Sequence, residues 1–150
     1  MKKISLILGL AAAISFFTTS AFALTVTATS ISSGVYEDGK FTPTNSGFTA
    51  EYTLDENTRM VRLTKIIDND REGKAEEGAL YEITNMSISE GLSAFTVSRN
   101  KMGQKIITAV REGALGASET LIIGRDFYEY SKAENGKFYL EYGKVTYDNQ

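Results

Sequence analysis

The sequence contains no cysteine, no histidine and no tryptophan, and it has a single proline. Without cysteine no disulfide can stabilise the fold, so its stability must come from the burial of apolar surface. Without histidine the chain lacks the commonest general base and the commonest metal ligand. The missing tryptophan removes the largest aromatic ring for stacking on a sugar. These absences disfavour several kinds of catalytic, metal and carbohydrate site.

Motifs of known catalytic chemistry are few. The sequence has no G-x-S-x-G, no G-x-G-x-x-G and no Walker loop. An S-x-x-K match at residues 98–101 runs from a predicted strand into a turn and has no companion K-T-G, so it does not indicate an acyl-enzyme site. Carboxylates are the remaining acid–base pool, and those on predicted strands usually face solvent. We therefore expect a protein that is not an enzyme and uses no cofactor, calcium being the one exception considered below.

The first 23 residues have the three parts of a secretory signal peptide. Lys2 and Lys3 provide a positive start, residues 4–17 form an apolar run, and an Ala-Phe-Ala sequence ends at Ala23. The run is shorter than the roughly 20 apolar residues that a spanning helix needs. We therefore expect cleavage after Ala23, a single β domain at residues 24–150 with no membrane span, and a periplasmic or extracellular location.

Charge limits the classes of partner. The full chain has a net charge of −3, and removal of Lys2 and Lys3 would make it −5. Binding to a phosphate backbone requires clustered lysine and arginine, whereas the basic residues here are scattered. The sequence therefore predicts no nucleic-acid partner.

Alternation of apolar and polar residues with a period of two dominates the chain after residue 23. Eight segments have this pattern: residues 24–32, 48–54, 59–67, 79–88, 93–99, 104–111, 119–130 and 137–147. Asp38-Gly39 and Asn135-Gly136 are turn sequences that tolerate positive φ and favour antiparallel neighbours. The sequence predicts an all-β fold of about eight antiparallel strands in a meander. A small β-barrel is favoured, and a two-sheet β-sandwich is the alternative.

Three other segments are predicted as loops, one of them containing Pro43: residues 42–47, 68–78 and 112–118. Two pentapeptides resemble each other, E-D-G-K-F at residues 37–41 and E-N-G-K-F at residues 134–138. Because no wider similarity surrounds them, we interpret them as the same turn chemistry used twice and not as an internal repeat.

One acidic segment begins like a calcium-binding loop. Asp68, Asp70 and Glu72 occupy positions 1, 3 and 5 of such a loop, and Gly73 occupies position 6. Position 12, where a bidentate glutamate belongs, is Ala79. The three carboxylates are thus candidate metal ligands, and a solvated acidic loop is the alternative that the missing glutamate favours.

The C-terminal hairpin is unusually aromatic. Alternation places Tyr128, Tyr130 and Tyr139 on one face, and we identify them as candidate ligand-binding residues. Ordinary cross-strand packing is the alternative for this face. The opposite face, predicted as core, holds four residues: Phe127, Phe138, Leu140 and Tyr142.

Two functions are compatible with these features. The first is an exported, non-enzymatic binding module of the cell envelope, whose barrel mouth or tyrosine face takes a small apolar or peptide ligand. The alternative is a structural or adhesive protein that acts by strand addition through residues 24–32, an alternating and uncharged strand. The expected partner is therefore a small molecule or another protein.

Overall fold

The computed structural model describes residues 23–45, 47–68, 75–87 and 105–148. These ranges contain nine strands: β1 (Leu24–Glu37), β2 (Lys40–Thr44), β3 (Thr49–Asp55), β4 (Met60–Asp68), β5 (Leu80–Ser87), β6 (Ile106–Glu112), β7 (Ser118–Ile123), β8 (Phe127–Glu134) and β9 (Lys137–Tyr147). One turn of 3-10 helix, Ala114–Gly116, joins β6 to β7. Within the described ranges, no helix has the length and apolar character needed to cross a membrane.

Eight of these strands close into an antiparallel β-barrel. From β3 to β9 each strand pairs with the next one along the chain. β1 closes the barrel, because it pairs with β3 along one edge and with β9 along the other. β2 is an additional strand that pairs with the second half of β1. The predicted all-β fold and small barrel are confirmed.

The strand boundaries differ from the prediction in the region 119–130, where the structure has β7 and β8 in place of one strand. The chain turns at Gly124, whose N–H donates to the Phe127 carbonyl at 2.8 Å. A Cβ at position 124 would lie 2.2 Å from the Phe127 ring, so a larger residue here would displace that ring. The predicted strand at residues 93–99 lies outside the described residues.

β2 replaces part of the predicted loop at residues 42–47. Its Pro43 lies opposite Gly34 of β1, on an edge strand that pairs only with β1. Glu37 and Lys40 flank a two-residue turn, so their backbones form a hydrogen-bonded pair. Hydrogen-bonded and non-hydrogen-bonded pairs alternate along the two strands, so the pair of Gly34 with Pro43 is not hydrogen-bonded and the Pro43 nitrogen faces away from β1. The missing N–H thus costs no bond to β1 and removes one donor from the free edge of β2.

The core is the interior of the barrel. Its largest fully buried side chains are four tyrosines, one phenylalanine and six aliphatic residues: Tyr52, Tyr81, Tyr128, Tyr130, Phe48, Leu54, Leu63, Leu121, Ile123, Val26 and Val61. An eight-stranded barrel has an interior about wide enough for side chains to fill. Burial of these residues replaces the disulfides that the sequence does not provide.

A β-bulge in β1 preserves this inward pattern. The β1–β9 register shifts between Ser30, which lies opposite Gly143, and Ser32, which lies opposite Tyr142. Ile31 is the extra residue and is half-exposed, while Ser30 and Ser33 on either side of the bulge are both buried. The bulge therefore lets a strand of 14 residues keep one face toward the core along its whole length.

Candidate functional site

Two buried glutamates inside the barrel each accept a hydrogen bond from a tyrosine. The Tyr81 hydroxyl donates to Glu119 Oε2 at 2.7 Å, and the Tyr128 hydroxyl donates to Glu141. Glu119 is 8% exposed and Glu141 is 4% exposed. Burial, reinforced by the neighbouring carboxylate, raises the pKa of Tyr81 and that of Tyr128 far above the ordinary value. Both phenols are therefore held neutral, as structural hydrogen-bond donors and not as nucleophiles.

These pairs explain where the candidate tyrosines lie. Tyr128 and Tyr130 belong to the core, with exposures of 0% and 1%. Tyr139 is half-buried in the next inward row, opposite Lys132 of β8 and Val35 of β1. The alternation correctly placed the three tyrosines on one face, and that face is the barrel interior.

The opposite face of the hairpin is the outside of the barrel. Phe138 is 40% exposed, Leu140 42% and Tyr142 48%, so the expectation that this face forms the core is wrong. Phe127, the fourth member, is partly buried. One physical reason is that the Tyr128 hydroxyl donates to a buried carboxylate, Glu141, on the same face of the hairpin, so this phenol can be enclosed without losing its hydrogen bond.

The exposed face forms a groove with a volume of about 320 Å³ that crosses β1, β9, β8 and β7. We call it the outer groove. Its floor is a cross-strand row in which Gly34 lies opposite Leu140, Leu140 opposite Ser131, and Ser131 opposite Thr120. Three of these four side chains are small or absent, so the row is lower than its neighbours.

Larger side chains form the two walls of the outer groove. Phe41 and Phe138 lie on the side nearer the hairpin turns, and Tyr142 and Ile122 lie on the other side. Both phenylalanines are neighbours of Tyr36, because Tyr36 pairs with Phe41 across β1–β2 and with Phe138 across β1–β9. Aromatic and aliphatic side chains therefore occur on both walls of the groove.

Gly34 fixes the position of one wall. A Cβ at this residue would lie 2.1 Å from Cζ of Phe41, so the Phe41 ring lies directly over the glycine backbone. This contact packs the ring of the edge strand β2 against β1 at the end of the outer groove. One sequence feature points to this wall, since the two similar pentapeptides place Phe41 and Phe138 at equivalent positions after their turns.

Two glutamates border the outer groove, and of these two only Glu129 is exposed. The carboxylate of Glu141 is buried inside the barrel, where it accepts the hydrogen bond from the Tyr128 hydroxyl. Glu129 is exposed, and it lies between Tyr142 of β9 and Ile122 of β7 in one cross-strand row. Within residues 23–45, 47–68, 75–87 and 105–148, no lysine or arginine forms an ion pair with Glu129.

A second cavity, of about 360 Å³, lies at the barrel mouth next to the 3-10 turn. Its charged side chains are paired with one another. Arg111 lies 3.5 Å from Glu119 and 3.7 Å from Glu76, and Lys132 lies 2.7 Å from Glu134. Because these charged side chains line the cavity, it is a poorer match for an apolar ligand than the outer groove.

Leu115 is an unusual residue at the rim of this mouth. It is fully exposed and has a φ of +58°, a left-handed conformation that is unfavourable for a leucine. We expect Leu115→Gly to raise the free energy of unfolding by about 0.5–1 kcal/mol, because glycine adopts this conformation without strain. Urea unfolding measures the change.

The neighbouring Ala114→Gly is the control for that experiment. Ala114 is also exposed but is not among the residues with positive φ, so glycine there relieves no strain and adds freedom to the unfolded chain. It should lower the stability. A Leu115→Gly protein no more stable than the Ala114→Gly protein would contradict the assigned strain.

The candidate calcium ligands fall mostly beyond the described residues. Asp68 is the last residue of β4 and pairs with Thr49 of β3. Asp70 and Glu72 lie outside the described ranges. Among the residues that the structure does describe, no group of three or more acidic side chains could hold a metal ion. The calcium site therefore stays a prediction.

Comparison of the chain with protein-family models, with curated proteins and with solved structures finds no match. The sites must therefore be interpreted from their own chemistry. The barrel interior holds the buried core and charged side chains line the second cavity, whereas the outer groove presents apolar surface to solvent.

Proposed function

We propose that this protein is an exported, non-enzymatic binding module of the cell envelope, and that its outer groove holds a small apolar ligand or an apolar peptide segment. The observation that carries this proposal is the exposure of Phe138, Leu140 and Tyr142, each 40–48% accessible, on one concave face. Contiguous exposed apolar surface of this kind is typical of binding sites. The groove volume of about 320 Å³ falls in the usual range for small-molecule sites.

The scaffold supports a preformed site. The groove residues of β1, β7, β8 and β9 belong to strands of the closed barrel, and Phe41 is packed on Gly34. Side chains on paired strands lose little further freedom when a ligand binds, which lowers the entropic cost of association.

Export is part of the same proposal. Cleavage after Ala23 would leave β1 whole, because this strand begins at Leu24. A periplasmic or extracellular location follows from such processing, and the barrel would function there without disulfides.

Strand addition through residues 24–32 receives less support. β1 is paired with β3 over Leu24–Thr29 and with β9 from Val26 onward, so an incoming strand would have to displace one of them. The free edge of β2 contains Pro43, which offers no N–H to a new partner. The binding module is therefore the function that we develop further.

Substitution of the groove floor tests the proposal. We expect Leu140→Ser to weaken binding of decyl maltoside, a neutral amphiphile used below its micelle concentration, by about tenfold, because the ligand loses its central apolar contact. Isothermal titration calorimetry measures the affinity, and circular dichroism verifies the fold.

Leu80→Ser is the matched control. Leu80 is 40% exposed, close to the 42% of Leu140, but it lies on β5 and does not line the outer groove. It should leave the affinity unchanged. Absence of saturable binding to the unmodified protein, or equal loss in the two variants, would reject the outer groove as the binding site.

A further inference from the structure

We propose that the ligand of the outer groove is a cationic amphiphile, with its apolar chain along the groove floor and its ammonium group at Glu129. This inference rests on the function proposed above and specifies the class of ligand. It is carried by the position of one exposed carboxylate in a groove that is otherwise apolar on both walls.

The shape of the groove suits a single alkyl chain. The Phe41 ring covers Gly34 at one end, and from there the open floor passes over Leu140 on β9 and Ser131 on β8 to Thr120 on β7, crossing two interstrand gaps. Neighbouring strands lie about 4.8 Å apart, so the open floor is about 10 Å long. A path of this length suits an extended alkyl chain, and apart from Glu129 its walls are aromatic or aliphatic.

Charge complementarity identifies the head group. Glu129 lies directly opposite Tyr142, which is 48% exposed, and directly opposite Ile122 on its other side. An ammonium group there could pair with the carboxylate and contact the face of the phenol ring. Glu129 forms no ion pair with a lysine or arginine in the described part of the chain, so its charge is available to a ligand.

A neutral or anionic head group would fit less well. A sulfate at the same position would be repelled by Glu129, and the overall charge of −3 would add to that repulsion. Because Glu129 is exposed, its contribution is modest, and we expect about a fivefold preference for an ammonium over a neutral head of equal chain length.

Three amphiphiles with the same chain test this inference: decyltrimethylammonium, decyl maltoside and decyl sulfate, each below its micelle concentration. Calorimetry on the purified protein should give the tightest binding for the ammonium and the weakest for the sulfate. Glu129→Gln should lower the ammonium affinity about fivefold, to that of the maltoside, while leaving the maltoside affinity unchanged.

Glu112→Gln provides the matched control, because it changes the net charge equally at an exposed residue that does not line the groove. It should leave all three affinities unchanged. Saturable maltoside binding without a preference for ammonium would overturn the head-group assignment and leave the proposed function standing. Equal losses of ammonium affinity in Glu112→Gln and Glu129→Gln would also overturn the head-group assignment and leave the proposed function standing. Failure of all three probes to bind would overturn the proposed function itself.

Discussion

Raising the pH above about 10 is expected to unfold the barrel cooperatively. Burial raises the pKa of Tyr81 and of Tyr128, so in the folded state both phenols keep their protons at pH values where the unfolded chain loses them. Their stabilising contribution is complete below about pH 10 and is lost as the pH rises further. Two such groups lower the free energy of unfolding by about 2.8 kcal/mol per pH unit.

Phenol ionisation, followed by ultraviolet absorbance, and strand content, followed by circular dichroism, measure this behaviour together. The buried phenols should ionise in the same transition in which the strand signal is lost. Tyr81→Phe should reduce the slope of stability against pH by about 1.4 kcal/mol per unit. Complete ionisation of the tyrosines with an unchanged strand signal would contradict the buried pairs with Glu119 and Glu141. Since the sequence has no histidine, stability should vary little between about pH 6 and 9.

Gly143→Ala is expected to cost about 3 kcal/mol or more of stability, the largest effect that we predict for a single methyl group. A Cβ at this position would lie 2.1 Å from the carbonyl oxygen of Thr29 and 2.3 Å from the Tyr128 ring. Thr29 pairs with both β3 and β9, so its carbonyl has little room to retreat. The methyl group fits only if β1 and β9 separate where they close the barrel.

Gly136→Ala is the control for this substitution. No atom lies within 4 Å of a Cβ built at residue 136, so alanine there causes no clash. Its φ of +76° is unfavourable for alanine, and we expect this alone to lower the stability by about 1 kcal/mol. Urea unfolding of both variants separates the steric cost from the conformational one. A Gly143→Ala protein as stable as the Gly136→Ala protein would mean that the two strands are not packed as closely as described.

Local chemistry was enough to predict most of the fold. Alternation identified the strands, and both turn pairs, Asp38-Gly39 and Asn135-Gly136, adopt the positive φ values that their sequences favour. The turn at Gly124 was missed because its sequence, Gly-Arg-Asp, contains no such pair. The strand-like residues on either side of it were therefore assigned to one strand. β2 was missed because Pro43 disfavours a strand unless the missing donor faces a free edge.

The orientation of the C-terminal hairpin could not be predicted from alternation, which groups residues by face without identifying the buried face. Phenylalanine and leucine are more apolar than tyrosine, so the wrong face was expected to be the core. What reverses the choice is a hydrogen bond within the hairpin: the Tyr128 hydroxyl donates to Glu141, which lies on the same face. A buried phenol is favoured when its acceptor is enclosed with it, and alternation does not indicate which face the barrel encloses.

The outer groove was unpredictable for a related reason. Its floor joins Gly34 of β1 to Leu140 of β9, residues that become neighbours only because these two strands close the barrel. The turn pentapeptides indicated that Phe41 and Phe138 are equivalent, but not that they form parts of one wall.

The pairing of β1 with β9 also sets a limit on when this protein can fold. β1 is synthesised first and β9 last, and the Asp148 N–H still donates to the Thr25 carbonyl, at 3.1 Å, beyond the end of β9. A nascent chain therefore has an open sheet until β9 has left the ribosome. Contacts so distant in sequence also make folding slow. For the export that we propose, this late closure would favour passage of the unfolded chain through a translocation pore.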